Sequence, residues 1–240
     1  MIGARLYRAL RRQAWLYDLE HDSLRPDLRR LVHVALRGGT RAAMLPRRLG
    51  RPFMPPAGVP AWLNLGCGRE PAPQFVNVDI NPFAGADVWI DLRDRWPFAD
   101  GTFDAIYLRH TLEHFTEREA LGILRQCRRV LAPGGGVRVG VPSLEVAVRK
   151  YLDSDFSSID WVASRGASTG RRFFHYITDS GNHRLMLDYG FLGELTELAG
   201  FEWVKRMEGG TSELFPVDSL PVKDCPGDSL TLYAECRRQS

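Results

Sequence analysis

Residues 108–115 read LRHTLEHF, and within them His110-Thr111-Leu112-Glu113-His114 has the H-x-x-E-H spacing of one class of zinc peptidases. Two neutral imidazoles four residues apart on a helix can hold zinc, with Glu113 as general base. A second chemical signal is the run Leu63-Asn64-Leu65-Gly66-Cys67-Gly68, in which an apolar segment meets a glycine turn whose missing side chains let a ligand approach the backbone. Carboxylates follow. Val76-Asn77-Val78-Asp79 ends in an acid at the place where doubly wound folds hold ribose hydroxyls, and Val88-Trp89-Ile90-Asp91 ends in another. Phe103 to Leu108 is a further apolar run that delivers Arg109 and His110.

The elements that must position these residues follow from periodicity. Short apolar runs (AWLNL, FVNVDI, ADVWID, FDAIYL, VRVGVP) alternate with helical stretches, which predicts a parallel sheet with flanking helices and one carboxyl edge shared by all the groups above. Thr116-Glu117-Arg118-Glu119 is a capping box that starts a helix over about 117–131, which separates HTLEH from that helix as a short turn of its own. Two histidines on one long helix, as the peptidase geometry requires, are therefore not expected, although Glu194 and Glu197 lie at the right distance downstream for a third ligand. No metal is assigned. Residues 143–183 are less regular and read as an insertion near the site, and a helix over about 188–199 precedes FEWVKRM and SLTLYAEC, an antiparallel pair at the sheet edge. Ala132 to Gly136 reads as a helix-to-strand turn. Only nine residues separate Leu65 from Phe75, with Pro71 and Pro73 among them, so the helix that normally carries a parallel crossover is nearly absent.

LNLGCG, VNVDINP, DLRDRWPFADGTFD, LRHTLEHF and CRRVLAPGGGVRVGVP occur here in the order found in class I S-adenosylmethionine-dependent methyltransferases, and the sequence resembles that family over residues 61–142 and the tail from 183. Within it, NHRLMLDYGFL and SLTLYAE look like small methyltransferases associated with surface polysaccharides. The resemblance implies an α/β fold, a doubly wound, mostly parallel seven-stranded sheet with an antiparallel edge hairpin, preceded by N-terminal helices. It implies S-adenosylmethionine as cofactor, with Gly66 and Gly68 at its methionine part, Asp79 at the ribose, and Asp91 with the Leu92 backbone at the adenine. Asn64 stands where the family has an acid and still accepts a hydrogen bond, Glu70 stands at the family's third glycine, and Arg109 completes the binding set. For a hydroxyl acceptor a proton must be removed, which a neutral histidine suits. His110 is the first candidate base, followed by Glu113, His114 and His183. The acceptor class implied is a small molecule or glycan.

Composition bounds the alternatives. With 44% hydrophobic and 25% charged residues the chain suits one well-buried core, and no apolar run reaches the length of a membrane span. The four cysteines form no C-x-x-C pair, which suits free thiols in a cytoplasmic setting. Residues 1–51 hold twelve Arg against four acids, +8, so a chain total of +3 leaves −5 for the rest. Ile2, Leu6, Leu10, Ala14 and Tyr17 share one helical stripe there, a second helix is predicted over 26–37, and a proline-rich linker over 51–60 joins this basic extension (1–50) to the main domain, 61–240. Its readings are contact with an anionic membrane, a lid, or a solvated cap. No RNA-binding motif accompanies the charge, so nucleic acid is not an expected partner. A nicotinamide dehydrogenase would need its third glycine at Pro71. The non-catalytic reading is a cofactor-binding partner subunit.

Overall fold

A computed structural model describes residues 53–55, 60–81, 84–159, 162 and 168–239. The predicted N-terminal helices and most of the linker lie outside them. Seven strands form one sheet: β1 (Trp62–Leu65), β2 (Val76–Asp79), β3 (Val88–Trp89), β4 (Phe103–Arg109), β5 (Leu131–Pro142), β6 (Trp203–Met207) and β7 (Thr231–Arg237), in the order β3-β2-β1-β4-β5-β7-β6. The first five are parallel, and β7 runs antiparallel to both β5 and β6. The expected edge pair is thus present, with β6 outermost. Four α-helices are described: α1 (Glu117–Val130), α2 (Leu144–Leu152), α3 (Thr169–Thr178) and α4 (Tyr189–Leu198).

Alternation along the strands sorts side chains to two faces. Leu63, Leu65, Ile106, Leu108, Val137, Val139 and Leu232 point to the face covered by α1 and α4, where Ile123, Leu124, Cys127, Leu192 and Leu195 complete the core. Helix α1 begins at the expected capping box: the Thr116 hydroxyl accepts from the Glu119 amide, and the Glu119 carboxylate accepts from the Thr116 amide. The other face is covered differently. Trp62, Phe75, Ala105 and Tyr107 pack there against Phe215 and Leu214 from the β6–β7 connection, with Phe215 centred 5.5 Å from Trp62 and 5.3 Å from Phe75. Beside this aromatic cluster Arg138, fully buried, lies 4.5 Å over the Tyr233 ring and donates to Asp224 (2.6 and 2.8 Å) and Glu235 (3.2 Å).

The β1–β2 crossover contains no helix, as its length requires; it is a chain of turns held by Asn77, whose side-chain amide donates to the carbonyls of Ala72 and Phe75 and to Asp87. Two expectations need revision. The Ala132–Gly136 stretch is not a turn outside the strand: β5 starts at Leu131, and the pairing with β4 jumps from Phe103↔Leu131 to Ala105↔Gly136 across a bulge. Segment 143–183 is also more regular than expected, since α2 and α3 pack on each other through Ala147, Phe156, Ile159 and Tyr176. This unit sits at the carboxyl edge of the sheet, tied by the Ser143 amide to the Leu230 carbonyl.

Candidate active site

Because β1 to β5 are parallel, Gly66, Asp79, Asp91, His110 and Ser143 follow strands that end at one edge. Gly66 (φ 66°) and Gly68 (φ 54°) have left-handed backbones that disfavour any side chain. At Gly66 the requirement is also steric, since a Cβ there would lie 2.3 Å from the Thr111 hydroxyl. The turn is fixed from β2: the Val78 carbonyl accepts from the amides of Gly66 and Cys67, and Asp79 accepts from Gly68 (2.9 Å) and Asn81 (2.8 Å). Two backbone donors use part of the acceptor capacity of that carboxylate, which with its two oxygens can also meet a vicinal diol.

The other predicted binding residues divide. Asn64 is buried beneath the turn and donates to the Asn77 side chain (3.0 Å), which makes it a support of the cradle. Asp91 is buried and held by both arms of Arg93 (2.7 and 3.0 Å), while the Leu92 carbonyl accepts from the Trp96 indole. Arg109 donates to the Tyr233 hydroxyl and to Asp228, both 2.8 Å away, which directs it along the sheet toward β7. Asp228 feels burial, which raises its pKa, but hydrogen bonds from Arg109, Thr231 and Tyr233 prevail and place it below the usual range. Thr111, Asp87, Arg93 and Thr231 support the site from inside quoted segments without a signal of their own, and Asp228 lies just outside one.

HTLEH forms a single 3-10 turn over Leu112–His114, distinct from α1 as expected, and His110 precedes it with φ 48°, a strained value for a histidine. The peptidase arrangement of two histidines on one helix is therefore not formed. The strained backbone turns the His110 ring so that Nδ1 is 3.4 Å from a Glu113 carboxylate oxygen and Nε2 is 3.0 Å from the Thr231 hydroxyl, with 36% of the side chain exposed. Glu113 is buried (1% exposed), and neither carboxylate oxygen has a hydrogen-bond partner among the described residues. Burial works to raise its pKa, and the imidazoles of His110, His114 and His183 outweigh it, so Glu113 lies below the usual range. His183 is brought to the same carboxylate at 3.9 Å, because the Glu113 carbonyl accepts from the Arg184 and Leu185 amides. Burial lowers the His183 pKa, and its Nδ1 meets the Ile177 carbonyl at 3.0 Å. All four predicted catalytic candidates thus share one corner of the edge. Next to it a shallow groove is lined by Ser143, Tyr176, Ile177, His183 and Met186.

Residues 63–139 match the family model described as a methyltransferase domain. No curated protein matches the sequence. Among solved structures, a SAM-dependent methyltransferase from Archaeoglobus fulgidus shares 14% identity over 94% of this chain and 100% of its own, with a TM-score of 0.50. A SAM-dependent methyltransferase from Thermotoga maritima shares 17% identity over 87% of this chain and 92% of its own, with a TM-score of 0.45. The likeness to these structures is one of fold, while the family match spans the glycine turn, Asp79, Asp91 and the His110–His114 turn. The chain is a methyltransferase, and its cofactor is S-adenosylmethionine.

Proposed function

We propose that the protein methylates a hydroxyl oxygen of a small-molecule or sugar acceptor, with His110 as general base. The observation that supports this most is the His110 imidazole, set between the buried Glu113 carboxylate and the Thr231 hydroxyl yet 36% exposed at the edge beside the glycine turn. The cradle fits the cofactor: glycines of positive φ at the end of β1 leave room for its methionine part, and the Asp79 carboxylate stands at the end of β2 as an acceptor for its ribose. The Asp91–Leu92 stretch is assigned to the adenine side. When bound, S-adenosylmethionine supplies an electrophilic methyl on a sulfonium.

The protein's own task is then alignment and proton removal. The acceptor's hydroxyl proton would pass to the His110 imidazole as its oxygen takes the methyl group, which requires Nε2 to leave the Thr231 hydroxyl, 3.0 Å away. The Glu113 carboxylate, 3.4 Å from Nδ1, favours the tautomer with the proton on that nitrogen and stabilises the imidazolium that forms. The groove beside His183 is the proposed acceptor seat, and a surface-polysaccharide sugar is the proposed acceptor. The setting that goes with such a sugar is the cytoplasmic face of a membrane, where residues 1–50 would meet anionic lipid.

The test is mass spectrometry of hydroxylated acceptors incubated with enzyme and S-adenosylmethionine, read as a gain of one methyl. His110→Ala should lower kcat by about 10²–10⁴-fold, the usual worth of a general base, with cofactor affinity unchanged. Unchanged kcat would remove His110 from the mechanism.

A further inference from the structure

We infer that Glu113, His114 and His183 form a binding site for one zinc-class divalent cation. One ligand atom from each residue lies within 4.8 Å of the other two. Ligands about 2.1 Å from a tetrahedral ion are separated by roughly 3.4 Å, so the three side chains need only a small inward adjustment. The set is also chemically apt, because two imidazoles and one carboxylate with open positions suit borderline divalent ions such as Zn²⁺ and Co²⁺.

Two further observations separate this cluster from a chance grouping. Glu113 is 1% exposed, and beyond the His110 Nδ1 at 3.4 Å its carboxylate oxygens have no hydrogen-bond partner among the described residues, a costly state for a buried acid that a bound cation relieves. His183 is also prepared for coordination. Its Nδ1 meets the Ile177 carbonyl at 3.0 Å, which requires the proton on Nδ1 and leaves the Nε2 lone pair directed at Glu113, 3.9 Å away. A backbone carbonyl fixing the far nitrogen is the usual outer partner of a metal-bound histidine. The site is braced as well, since the Glu113 carbonyl accepts from Arg184 (2.7 Å) and Leu185 (3.1 Å), locking the segment that carries His183 to the turn that carries the other two ligands.

On this proposal Glu113 and His114 of the H-x-x-E-H pattern would be ligands, with Glu113 in a different role from that of a peptidase base. His110 spans Glu113 and Thr231 with its two ring nitrogens and stays outside the ligand set, and His183 would supply the third ligand in place of Glu194 or Glu197. His183 also lines the acceptor groove, so the ion's remaining positions would lie near an acceptor oxygen.

The site shares Glu113 with the proposed hydroxyl chemistry, so its test reads metal binding and not methyl transfer. Full-length protein is stripped with chelator, dialysed against micromolar Zn²⁺ and analysed for metal; one equivalent per chain is expected. Co²⁺ should give the intense visible d–d bands of a four-coordinate site and lose them to added Zn²⁺. His183→Ala and Glu113→Gln should each weaken Zn²⁺ binding at least tenfold, while His175→Ala leaves it unchanged; retained S-adenosylmethionine binding reports that each variant is folded. No stoichiometric zinc and no cobalt spectrum in the unaltered protein would overturn the proposal without recourse to any variant. Undiminished binding by folded His183→Ala would do the same.

Discussion

Replacing Gly66 by alanine separates two costs that the structure assigns to one atom. The first is conformational: φ is 66°, and an L-residue in the left-handed region costs roughly 1–2 kcal/mol. The second is steric, because the new Cβ would lie 2.3 Å from Thr111 Oγ1, 2.7 Å from its Cγ2 and 3.1 Å from its Cβ. Overpacking of this kind costs about 1–3 kcal/mol. Gly101 supplies the control, since its φ is 69° and nothing lies within 4 Å of the place a methyl group would take there. The smaller entropy of an unfolded alanine chain helps both variants alike and cancels in the comparison. Urea unfolding followed by tryptophan fluorescence should therefore find Gly66→Ala less stable than Gly101→Ala by about 1–3 kcal/mol, the steric share alone. Thr111→Ala removes the two nearest atoms, so the double variant Gly66→Ala/Thr111→Ala should recover most of that difference as a coupling energy. If Gly66→Ala and Gly101→Ala unfold within about 0.5 kcal/mol of each other, the close packing of Thr111 on the glycine turn is not what fixes this residue.

Other outcomes follow from the site and the sheet. Asp79→Ala removes the acceptor of the Gly68 amide and the proposed ribose partner, so calorimetry should show S-adenosylmethionine binding weaker by about 1–3 kcal/mol, and an unchanged Kd would take Asp79 out of the site. Asp224→Ala leaves the buried Arg138 paired with Glu235 but removes the acceptor of two of its hydrogen bonds, and chemical denaturation should register a loss of about 1–3 kcal/mol, the usual cost of buried donors left unpaired; no measurable loss would show that water reaches the guanidinium. Acid should weaken the fold through Asp228: its folded pKa is depressed, so its stabilisation is present above the ordinary carboxylate pKa and is lost as pH falls through the folded value. Asp228→Asn should flatten the stability profile on the acid side of the ordinary carboxylate pKa. If residues 1–50 meet anionic lipid, full-length protein should sediment with acidic vesicles at low salt and dissociate as exposed charges are screened within about 10 Å at 0.1 M; equal behaviour of a protein lacking them would refute this.

Legibility in the sequence tracks how local each cause is. The ends of β1, β2 and β4 are readable because an apolar run stops at a glycine or a charged residue, and α1 because its capping box is a four-residue pattern. The absent crossover helix follows from chain length alone. What escapes depends on partners distant in sequence. Val137-Arg138-Val139 has the alternation of a strand with a wet face, yet Arg138 is fully buried, because Asp224 and Glu235 arrive 86 and 97 residues later to meet it. Asp91 reads as a simple ligand for adenine because nothing in its own strand announces Arg93 folding back on it. His183 stands out by residue type, but its meeting with Glu113 depends on two backbone hydrogen bonds between a turn and a loop. In segment 143–183 the helices are short and their apolar residues face a small local cluster, so the periodicity is too brief to stand out.

The cover of the β1–β2 half of the sheet has a consequence for the order in which the protein matures. In a chain synthesised from its N-terminus, Trp62, Phe75 and Tyr107 leave the ribosome long before Phe215, the ring that closes over all three. A crossover helix would have shielded that face within a few dozen residues of synthesis; here the shield waits for Phe215. The glycine cradle built on those strands therefore waits for the β6–β7 connection, and contacts of such long range form slowly and leave apolar surface bare in the interval. Nascent chains halted before residue 215 should hold their aromatic face open to chaperones and bind no cofactor, so that competence to bind S-adenosylmethionine is reached only once the β6–β7 connection has been made.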